Sequence, residues 1–265
     1  MKWEEFARPS VAVDVAVLTV VPESQPWLGL LVYRRAGDAH PGRWDIPGGF
    51  VQAGERLADT VLRVLREKSD VRGLAPTQLH VFDDPKRDER GWVIAVAHMD
   101  AVPHQRLQAA MTRRDDVRIV RVQDSDGRVR VQLPGRFRRL PWDHDEIVTM
   151  AVERLRERYA RHPDPDGLTS SSDEGMTTTT HAPTVPTWDG GPVLGDSQVH
   201  ALVAGAETGP AFTLTELRRV HEAVAGRPLQ RDTFRRMVEP HLHRTAFTSE
   251  GRVGRPGVLY VRDDR

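Results

Sequence analysis

The chain has 265 residues, enough for two domains, and its 38 basic and 38 acidic residues give a net charge of zero. Composition therefore offers no electrostatic argument for nucleic acid binding. The chain has no cysteine, which excludes disulfides and thiolate metal sites. The sequence has no apolar signal core and no run of about eighteen apolar residues, which predicts a cytoplasmic protein without a membrane span.

Residues 1–161 are predicted to form one α/β domain. Apolar, β-branched stretches predict strands at 11–21, 27–35, 78–82, 91–102, 117–122 and 129–133. Helical spacing of apolar residues predicts helices at 56–69 and 145–161. This order predicts a mixed sheet between helices, an α/β/α sandwich.

The second of these helices has an acidic beginning. Asp143 and Glu146 stand three residues apart there, which predicts a capping-box-like start. The surrounding run DHDE is also compatible with a metal site. A helix cap is the more ordinary use of such residues, so we expect a cap.

Residues 162–206 differ in composition from the rest of the chain. They are rich in proline, threonine and serine, with six acidic residues and no lysine or arginine. Such a segment buries too little apolar surface to order itself, so we expect a flexible acidic linker. A short helix at 197–203 is compatible with its sequence.

Residues 207–265 regain the pattern of a folded domain. Thr213 and Glu216 predict a capping box before an amphipathic helix, which Gly226 ends. A second helix is predicted at 231–239, followed by a hairpin with a glycine- and arginine-rich turn. Two helices and a hairpin in this order predict a winged helix-turn-helix.

The stretch from Pro41 to Val71 resembles a Nudix box, the loop-helix-loop that grips a diphosphate and its metal. Gly49, Glu55 and Arg63 have the spacing of the family pattern. Val64 and Lys68, however, stand where the family has glutamates, and Asp70 stands where it has glycine. Because magnesium needs several hard oxygen ligands, the resemblance implies a Nudix fold without turnover and no required cofactor.

Two further stretches make the resemblance more specific. FDDPKRDERG at 82–91 is similar to a run in ADP-ribose-type Nudix domains, in which a proline, here Pro85, is associated with ADP-ribose recognition. The C-terminal region resembles the winged helix of the Nudix-related transcriptional regulators of NAD metabolism (NrtR type). This family joins a sensor Nudix domain to a winged helix and acts as a homodimer on palindromic operators. The resemblance implies double-stranded DNA and an ADP-ribose-like effector as partners.

Carried over from the family, the effector pocket would use residues of the box and of the loop after it. These are Arg35, Trp44, Gly48, Gly49, Glu55, Arg87, Asp88 and Arg90. Lys68, which stands where the family has a glutamate, is a further candidate, because its ammonium could replace magnesium as the counter-charge of a diphosphate; the alternative is a solvent-facing lysine. Arginine forks match pyrophosphate oxygens, and a tryptophan or guanidinium plane can stack on adenine. Ordinary structural roles fit some of the same residues: Trp44 as core, Arg87 with Asp88 as a surface pair.

On the predicted DNA-reading helix, the outward residues are candidates for contacts with bases. These are Arg231, Thr233, Arg235 and Arg236, because arginine can read guanine through O6 and N7. Arg252 and Arg255 lie on the predicted wing and are better suited to phosphates. The alternative for this arginine set is a solvated helix face.

A second function remains open at this stage, an active ADP-ribose or related pyrophosphatase with an accessory C-terminal module. It would require magnesium, for which the box offers Glu67 at most. Asp115 or Asp116 would have to supply further ligands. Changing Val64 and Lys68 to glutamate is expected to return the missing ligands.

Overall fold

The computed structural model describes residues 6–37, 39–125, 128–135, 138–169, 211–248 and 257–262. The first domain contains eight strands and three helices among these residues. The strands are β1 (Ser10–Val21), β2 (Trp27–Arg34), β3 (Trp44–Asp45), β4 (Gly48–Phe50), β5 (Thr77–Phe82), β6 (Val93–Ala101), β7 (Val117–Ser125) and β8 (Arg128–Val131). The helices are α1 (Leu57–Ser69), α2 (Gln105–Arg113) and α3 (His144–Tyr159).

The strands form one mixed sheet in the order β5-β6-β1-β2-β7-β8, with β3 beside β2 and β4 beside β1. β1 and β6 run parallel, whereas β1 is antiparallel to β2 and β4. A strand in the middle of such a sheet has both faces covered, which is why β1 reads as an almost continuous apolar run. The position of β1 brings the short strand β4 and the box helix α1 close to the centre of the sheet.

Helices cover both faces of the sheet. α1 and α2 bury Val61, Val64, Leu65 and Leu107 against one face. On the other face, α3 buries an apolar stripe formed by Ile147, Val148, Ala151, Val152 and Leu155. The predicted α/β/α sandwich is therefore confirmed.

The beginning of α3 and the end of α1 differ from the sequence-based expectations. Asp143 is the N-cap of α3, but its side chain makes no capping hydrogen bond. The predicted capping box is wrong because Asp143 binds an arginine from a distant loop instead. At the end of α1, Asp70 adopts the left-handed conformation with φ 52°, so the turn forms without the glycine of the family pattern.

The C-terminal domain has the predicted winged helix architecture. Its elements are β9 (Phe212–Thr213), α4 (Leu214–Ala225), α5 (Arg231–Val238), β10 (Leu242–Thr248) and β11 (Val258–Arg262). The Thr213–Glu216 capping box is present, and Gly226 ends α4 in the left-handed conformation. Phe212, Leu217 and Phe234 centre a separate small core. Arg252 and Arg255 lie outside the described residues.

The winged helix packs directly on the first domain through α3 and α4. Val220 and Val224 of α4 belong to the same apolar core as the α3 face of the sheet. The Nε of Arg156 donates to the carbonyl of Val224 at 2.9 Å, and its Nη2 lies 2.8 Å from a carboxylate oxygen of Asp124. The two domains therefore share a core rather than only a connecting segment.

The residues after α3 extend this contact. Asp164 is buried and accepts hydrogen bonds from the Tyr159 hydroxyl at 2.8 Å and the Leu168 N–H at 2.9 Å. Packing therefore continues past residue 161, through the first part of the predicted linker. The remainder, 170–206 with the compatible helix at 197–203, lies outside the described residues. Within the described ranges, no helix has the length and apolar character needed to cross a membrane.

Candidate functional site

A buried ionic cluster lies where β1, β3 and the beginning of α3 meet. The Nδ1 of His144 is 2.5 Å from a carboxylate oxygen of Asp45, and its Nε2 is 3.5 Å from one of Asp14. Burial opposes the charge on His144, but the two carboxylates outweigh it and raise its pKa to about 10. Burial likewise opposes the charge on Asp14, yet its charged neighbours, with His144 foremost, lower the pKa of Asp14. The cluster is therefore ionic at neutral pH.

Gly48 makes room for this cluster. A Cβ at residue 48 would lie 2.2 Å from a carboxylate oxygen of Asp14, which is closer than any real contact allows. Gly49 is restricted in a similar way, because its Cβ would come within 2.9 Å of Val64. The glycine pair of the box thus serves close packing of β4 against β1 and α1.

Three arginines surround the cluster, and each is held by an aspartate. Arg87 donates to both oxygens of Asp143, and Arg90 to both oxygens of Asp88. The third, Arg35, donates to Asp45 at 2.7 Å. Arg87 is almost fully buried, with 4% of its side chain exposed, whereas 40% of Arg90 is exposed. Arg90 is therefore the guanidinium most open to a bound molecule.

Trp142 lies between Arg35 and Arg90 and has no counterpart in the sequence-based site. The guanidinium carbons of Arg35 and Arg90 are each 4.7 Å from the centroid of its ring. Its indole N–H donates to Glu89 at 2.8 Å, and its backbone is left-handed with φ 51°. Arg90 also lies 5.2 Å from the ring of Phe50. Aromatic rings beside guanidinium planes suit a planar, negatively charged ligand such as a nucleotide.

The box helix does not fit a divalent metal. Arg63 holds Glu55 through two hydrogen bonds of 2.6 and 2.9 Å, and these bonds lower the pKa of Glu55 to about 2. Arg63 also donates to Glu67 at 3.2 Å. Val64 is fully buried, so its side chain points into the core rather than toward a ligand. Among the described residues, no group of three or more metal-binding side chains could hold a metal ion.

The alternative metal ligands considered from the sequence, Asp115 and Asp116, lie in the loop after α2. Arg114 donates to both oxygens of Asp116, at 2.7 and 2.6 Å. Asp115 is exposed and belongs to none of the metal-competent groups of the described chain. These residues supply no second set of carboxylates for magnesium.

Lys68 lies beside the group formed by Arg35, Arg87 and Arg90 rather than within it. Its Nζ is 5.8 Å from the ring centroid of Tyr33. The hydroxyl of Tyr33 accepts from Arg35 at 3.3 Å. Burial, followed by the charge of Asp45, raises the pKa of Tyr33 to about 12, so the phenol stays neutral. Tyr33 thus connects the box helix to the arginine cluster.

The structure brings together only part of the predicted ligand site. Arg35 and Arg87 contact Asp45 and Asp14 of the ionic cluster, and Arg90, which Asp88 holds, meets Arg35 at the ring of Trp142. Trp44 does not join them, because it lies in the core with the guanidinium of Arg118 5.6 Å from its ring centroid. The core alternative for Trp44 is therefore the one that the structure supports.

The site also contains residues that the sequence-based prediction missed. These are Asp14, Asp45, Trp142, Asp143 and His144. One signal was available in the sequence, since Asp14 interrupts the apolar run of β1. An acid in a central strand must be paired when it is buried, and such pairs mark sites.

The predicted DNA-contacting residues lie on α5 and are exposed. Arg231, Thr233, Arg235 and Arg236 all have exposed side chains there. The helix is capped by the side chain of Gln230, which accepts from the Thr233 N–H at 2.7 Å. Phe234 and Val238 are buried on the opposite side. The second helix of the winged helix therefore presents a basic face to solvent.

Comparison with known proteins agrees with this architecture. A NUDIX domain model matches residues 11–140, and a model of the NrtR DNA-binding winged helix domain matches residues 209–261. The chain is 24% identical to the ADPR responsive transcriptional repressor NtrR of Acinetobacter baylyi over 259 residues, covering 97% of this chain and 83% of that protein. It is 27% identical over 147 residues to the ADP-ribose pyrophosphatase of Methanocaldococcus jannaschii, covering 56% of this chain and 75% of that protein.

The fold also matches a solved structure over nearly its whole length. The crystal structure of Shewanella oneidensis NrtR complexed with a 27mer DNA aligns with a TM-score of 0.63 at 27% identity, covering 96% of this chain and 93% of that one. Fold and matches together define a Nudix domain joined to a DNA-binding winged helix. The chain thus combines a NUDIX domain with an NrtR-type DNA-binding winged helix domain.

Proposed function

We propose that the protein is a DNA-binding transcriptional regulator whose Nudix domain senses ADP-ribose or a related nucleotide. The observation that carries this proposal is the direct packing of the winged helix on α3. The first turn of α3 provides His144 of the ionic cluster and follows Asp143, which holds Arg87. Its last turns contact α4. One rigid element thus joins the candidate ligand site to the DNA-binding domain.

The choice of ligand rests on the chemistry of the site and on the relatives. Trp142, Phe50 and Arg90 offer rings and a guanidinium plane for a base, and Arg35 and Lys68 add positive charge nearby. Relatives from Acinetobacter baylyi and Methanocaldococcus jannaschii are named for responding to, or cleaving, ADP-ribose. We propose the same ligand class here, bound without metal because the box offers no carboxylate set.

Regulation would follow from a difference in ligand affinity between two arrangements of the domains. A diphosphate near Arg87 competes with Asp143 for the same guanidinium and so favours a different position of the beginning of α3. The winged helix packs on the other end of α3 and would move with it. A ligand shifts the arrangement only by as much as its affinity differs between the two states.

Binding to DNA would involve a complex with two-fold symmetry. We propose that a homodimer places two α5 helices in the major groove of a palindromic operator, with half-sites about one helical turn apart or a multiple of that. Arg231, Thr233, Arg235 and Arg236 are the proposed contacts from α5, and Arg252 and Arg255 those from the wing. Because the relatives named above come from organisms without a nucleus, the proposed location is the cytoplasm.

The test is binding of selected DNA with and without ligand. Fragments of the source genome would be selected for binding to the full chain, and their affinity measured by fluorescence anisotropy. We expect selection of an inverted repeat, and a change in affinity when ADP-ribose is added. An affinity that saturating ADP-ribose leaves unchanged contradicts the sensor role, whereas failure to select any DNA contradicts the regulator itself.

A further inference from the structure

An ordered ion pair joins the exposed face of α5 to Glu239, the residue at its C-terminal cap. The Nε and Nη2 of Arg235 donate to the two oxygens of Glu239, at 2.9 and 3.1 Å. The Arg235 side chain is 60% exposed and that of Glu239 is 35% exposed. Most exposed pairs one helical turn apart are weak, because both side chains lose conformational freedom to form them.

Tyr260 distinguishes this pair from an ordinary surface pair. Its hydroxyl donates to Glu239 at 2.9 Å from strand β11, and its ring is buried in the small core of the domain. Hydrogen bonds, chiefly from Arg235 and also from Tyr260, lower the pKa of Glu239, so Glu239 is a carboxylate at neutral pH. Glu239 is thus fixed by a buried residue of another element and in turn fixes Arg235.

The geometry determines which edge of the guanidinium remains available. Glu239 occupies the edge formed by Nε and Nη2, so the outer edge of Nη1 and Nη2 is left for another acceptor. That edge can donate two parallel hydrogen bonds, which match O6 and N7 of guanine in the major groove. Because Arg235 is already oriented, little further freedom is lost when it binds a base.

The charge of Glu239 argues for a base rather than a phosphate. A carboxylate beside Arg235 reduces the positive potential that attracts the DNA backbone, so it works against contacts that ignore sequence. If Arg235 only bound phosphates, removal of the Glu239 carboxylate would strengthen its binding to DNA. Retaining an acid here is useful where the direction of Arg235 matters more than its charge.

Resting on the proposed DNA-binding function, we propose that Glu239, anchored by Tyr260, is a specificity-determining residue that aims Arg235 at one guanine of the operator. Arg236 on the same helix differs from Arg235. Among the described residues, its side chain donates one hydrogen bond, from Nε to the carbonyl of Asp232 at a long 3.4 Å. Arg236 therefore remains adjustable, as a phosphate contact requires.

The experiment compares sequence preference with overall affinity. The full chain and its variants Arg235→Ala, Glu239→Gln, Glu239→Ala and Tyr260→Phe would each be used to select duplexes from a randomised library. Affinities for the preferred duplex and a scrambled one would be measured at several salt concentrations. Asp232→Asn is the matched control, since it removes one negative charge from α5 itself and leaves the Arg235–Glu239 pair intact.

We expect Arg235→Ala and both Glu239 variants to lose preference for guanine at the same single position, by about fivefold or more. Affinity of the Glu239 variants for the scrambled duplex should be unchanged or higher. Tyr260→Phe keeps the buried ring and should show a smaller loss at that position. Asp232→Asn should strengthen binding to all duplexes alike and leave the preference unchanged.

Other outcomes overturn the proposal in distinguishable ways. A fall in both affinities together with a lower melting temperature would assign Glu239 a purely structural role. An equal rise in both affinities, as for Asp232→Asn, would make it only a source of repulsion. If the wild type binds the selected DNA and the Glu239 variants keep the same base preference, this inference is rejected and the proposed function is not. Wild-type failure to bind any duplex rejects both this inference and the proposed function.

Discussion

Arg87 and Asp143 form a two-point ion pair that ties the loop after β5 to the beginning of α3, with N–O distances of 2.7 and 2.6 Å. Only 4% of the Arg87 side chain is exposed, and its other acidic neighbour, Asp14, is farther away at 3.5 Å, so loss of Asp143 would leave a buried charge poorly compensated. We expect Asp143→Asn to lower the free energy of unfolding by about 3 kcal/mol in urea titrations. Asp145→Asn is the control and should cost about 1 kcal/mol or less, because its partner Arg139 is exposed. Equal costs would contradict the role assigned to burial.

The raised pKa of His144 predicts how stability changes at alkaline pH. Its folded-state pKa of about 10 is above the ordinary value of 6.5, so its stabilising contribution is complete below pH 6.5. This contribution is lost as the pH rises from 6.5 through about 10. We expect the free energy of unfolding to fall over this range, and His144→Asn to flatten the decline. His98 is a control, because burial lowers its pKa and His98→Asn should leave the alkaline decline unchanged.

The burial of Val64 changes what restoration of the Nudix box can achieve. The expectation that Val64→Glu with Lys68→Glu returns the metal ligands is wrong for residue 64, because that side chain is fully enclosed by the core. We expect Val64→Glu to destabilise the protein by more than about 3 kcal/mol, and Lys68→Glu by less than about 1. The thermal or urea unfolding of the two single variants measures the difference.

Turnover provides a separate test of the same site. We expect neither the wild type nor these variants to hydrolyse ADP-ribose with magnesium or manganese above background. The measurement is release of phosphate esters from ADP-ribose. Wild-type turnover of about one per second or faster would contradict the sensor role and revive the pyrophosphatase alternative.

Lys68 is predicted to supply part of the charge that a metal would otherwise provide. Calorimetry with ADP-ribose in EDTA should show binding by the wild type and about tenfold weaker binding by Lys68→Ala, because a charged hydrogen bond to phosphate is lost. Arg66→Ala removes an exposed cation from the same helix and should bind like the wild type. Equal affinities for all three proteins would remove Lys68 from the ligand site.

The contact of Arg156 with α4 predicts where the ligand response can be interrupted. Arg156→Ala removes the hydrogen bond to the Val224 carbonyl and the pair with Asp124. We expect nearly unchanged affinity for operator DNA but a smaller effect of ADP-ribose on it, measured by anisotropy. Arg154→Ala is the control, because Arg154 is exposed and pairs with Glu157 on its own helix at 3.7 Å. A full ligand response in Arg156→Ala would place the coupling elsewhere.

The sequence predicted the long elements because their apolar periodicity is local information. β1, α1, α3 and the winged helix follow from it, and the capping box of Thr213 follows from a motif four residues long. β3 and β4 were missed because strands of two and three residues carry no periodic signal. The polar helix α2 was missed because few of its residues are buried.

The candidate site was harder to predict because its partners are far apart in the chain. Asp143 was expected to cap its own helix, yet Arg87 binds it from 56 residues away. His144 and Asp45 are separated by 99 residues. A local sequence motif cannot show that a distant residue competes with the helix end for the same side chain. Motif reasoning therefore found the arginines, whereas their carboxylate partners and Trp142 emerged only from the fold.

Because α3 and α4 share a core, the sensor domain and the DNA-binding domain have separate functions but are expected to fold as one unit. Val220 and Val224 complete the packing of Leu155 and Tyr159, so each domain buries surface that the other would otherwise expose to water. Calorimetry on the whole chain should accordingly record one cooperative transition rather than two. A substitution that loosens α4 then also weakens the ligand-binding half, although it lies far from any ligand. Ligand binding and DNA binding should therefore be lost over the same temperature range.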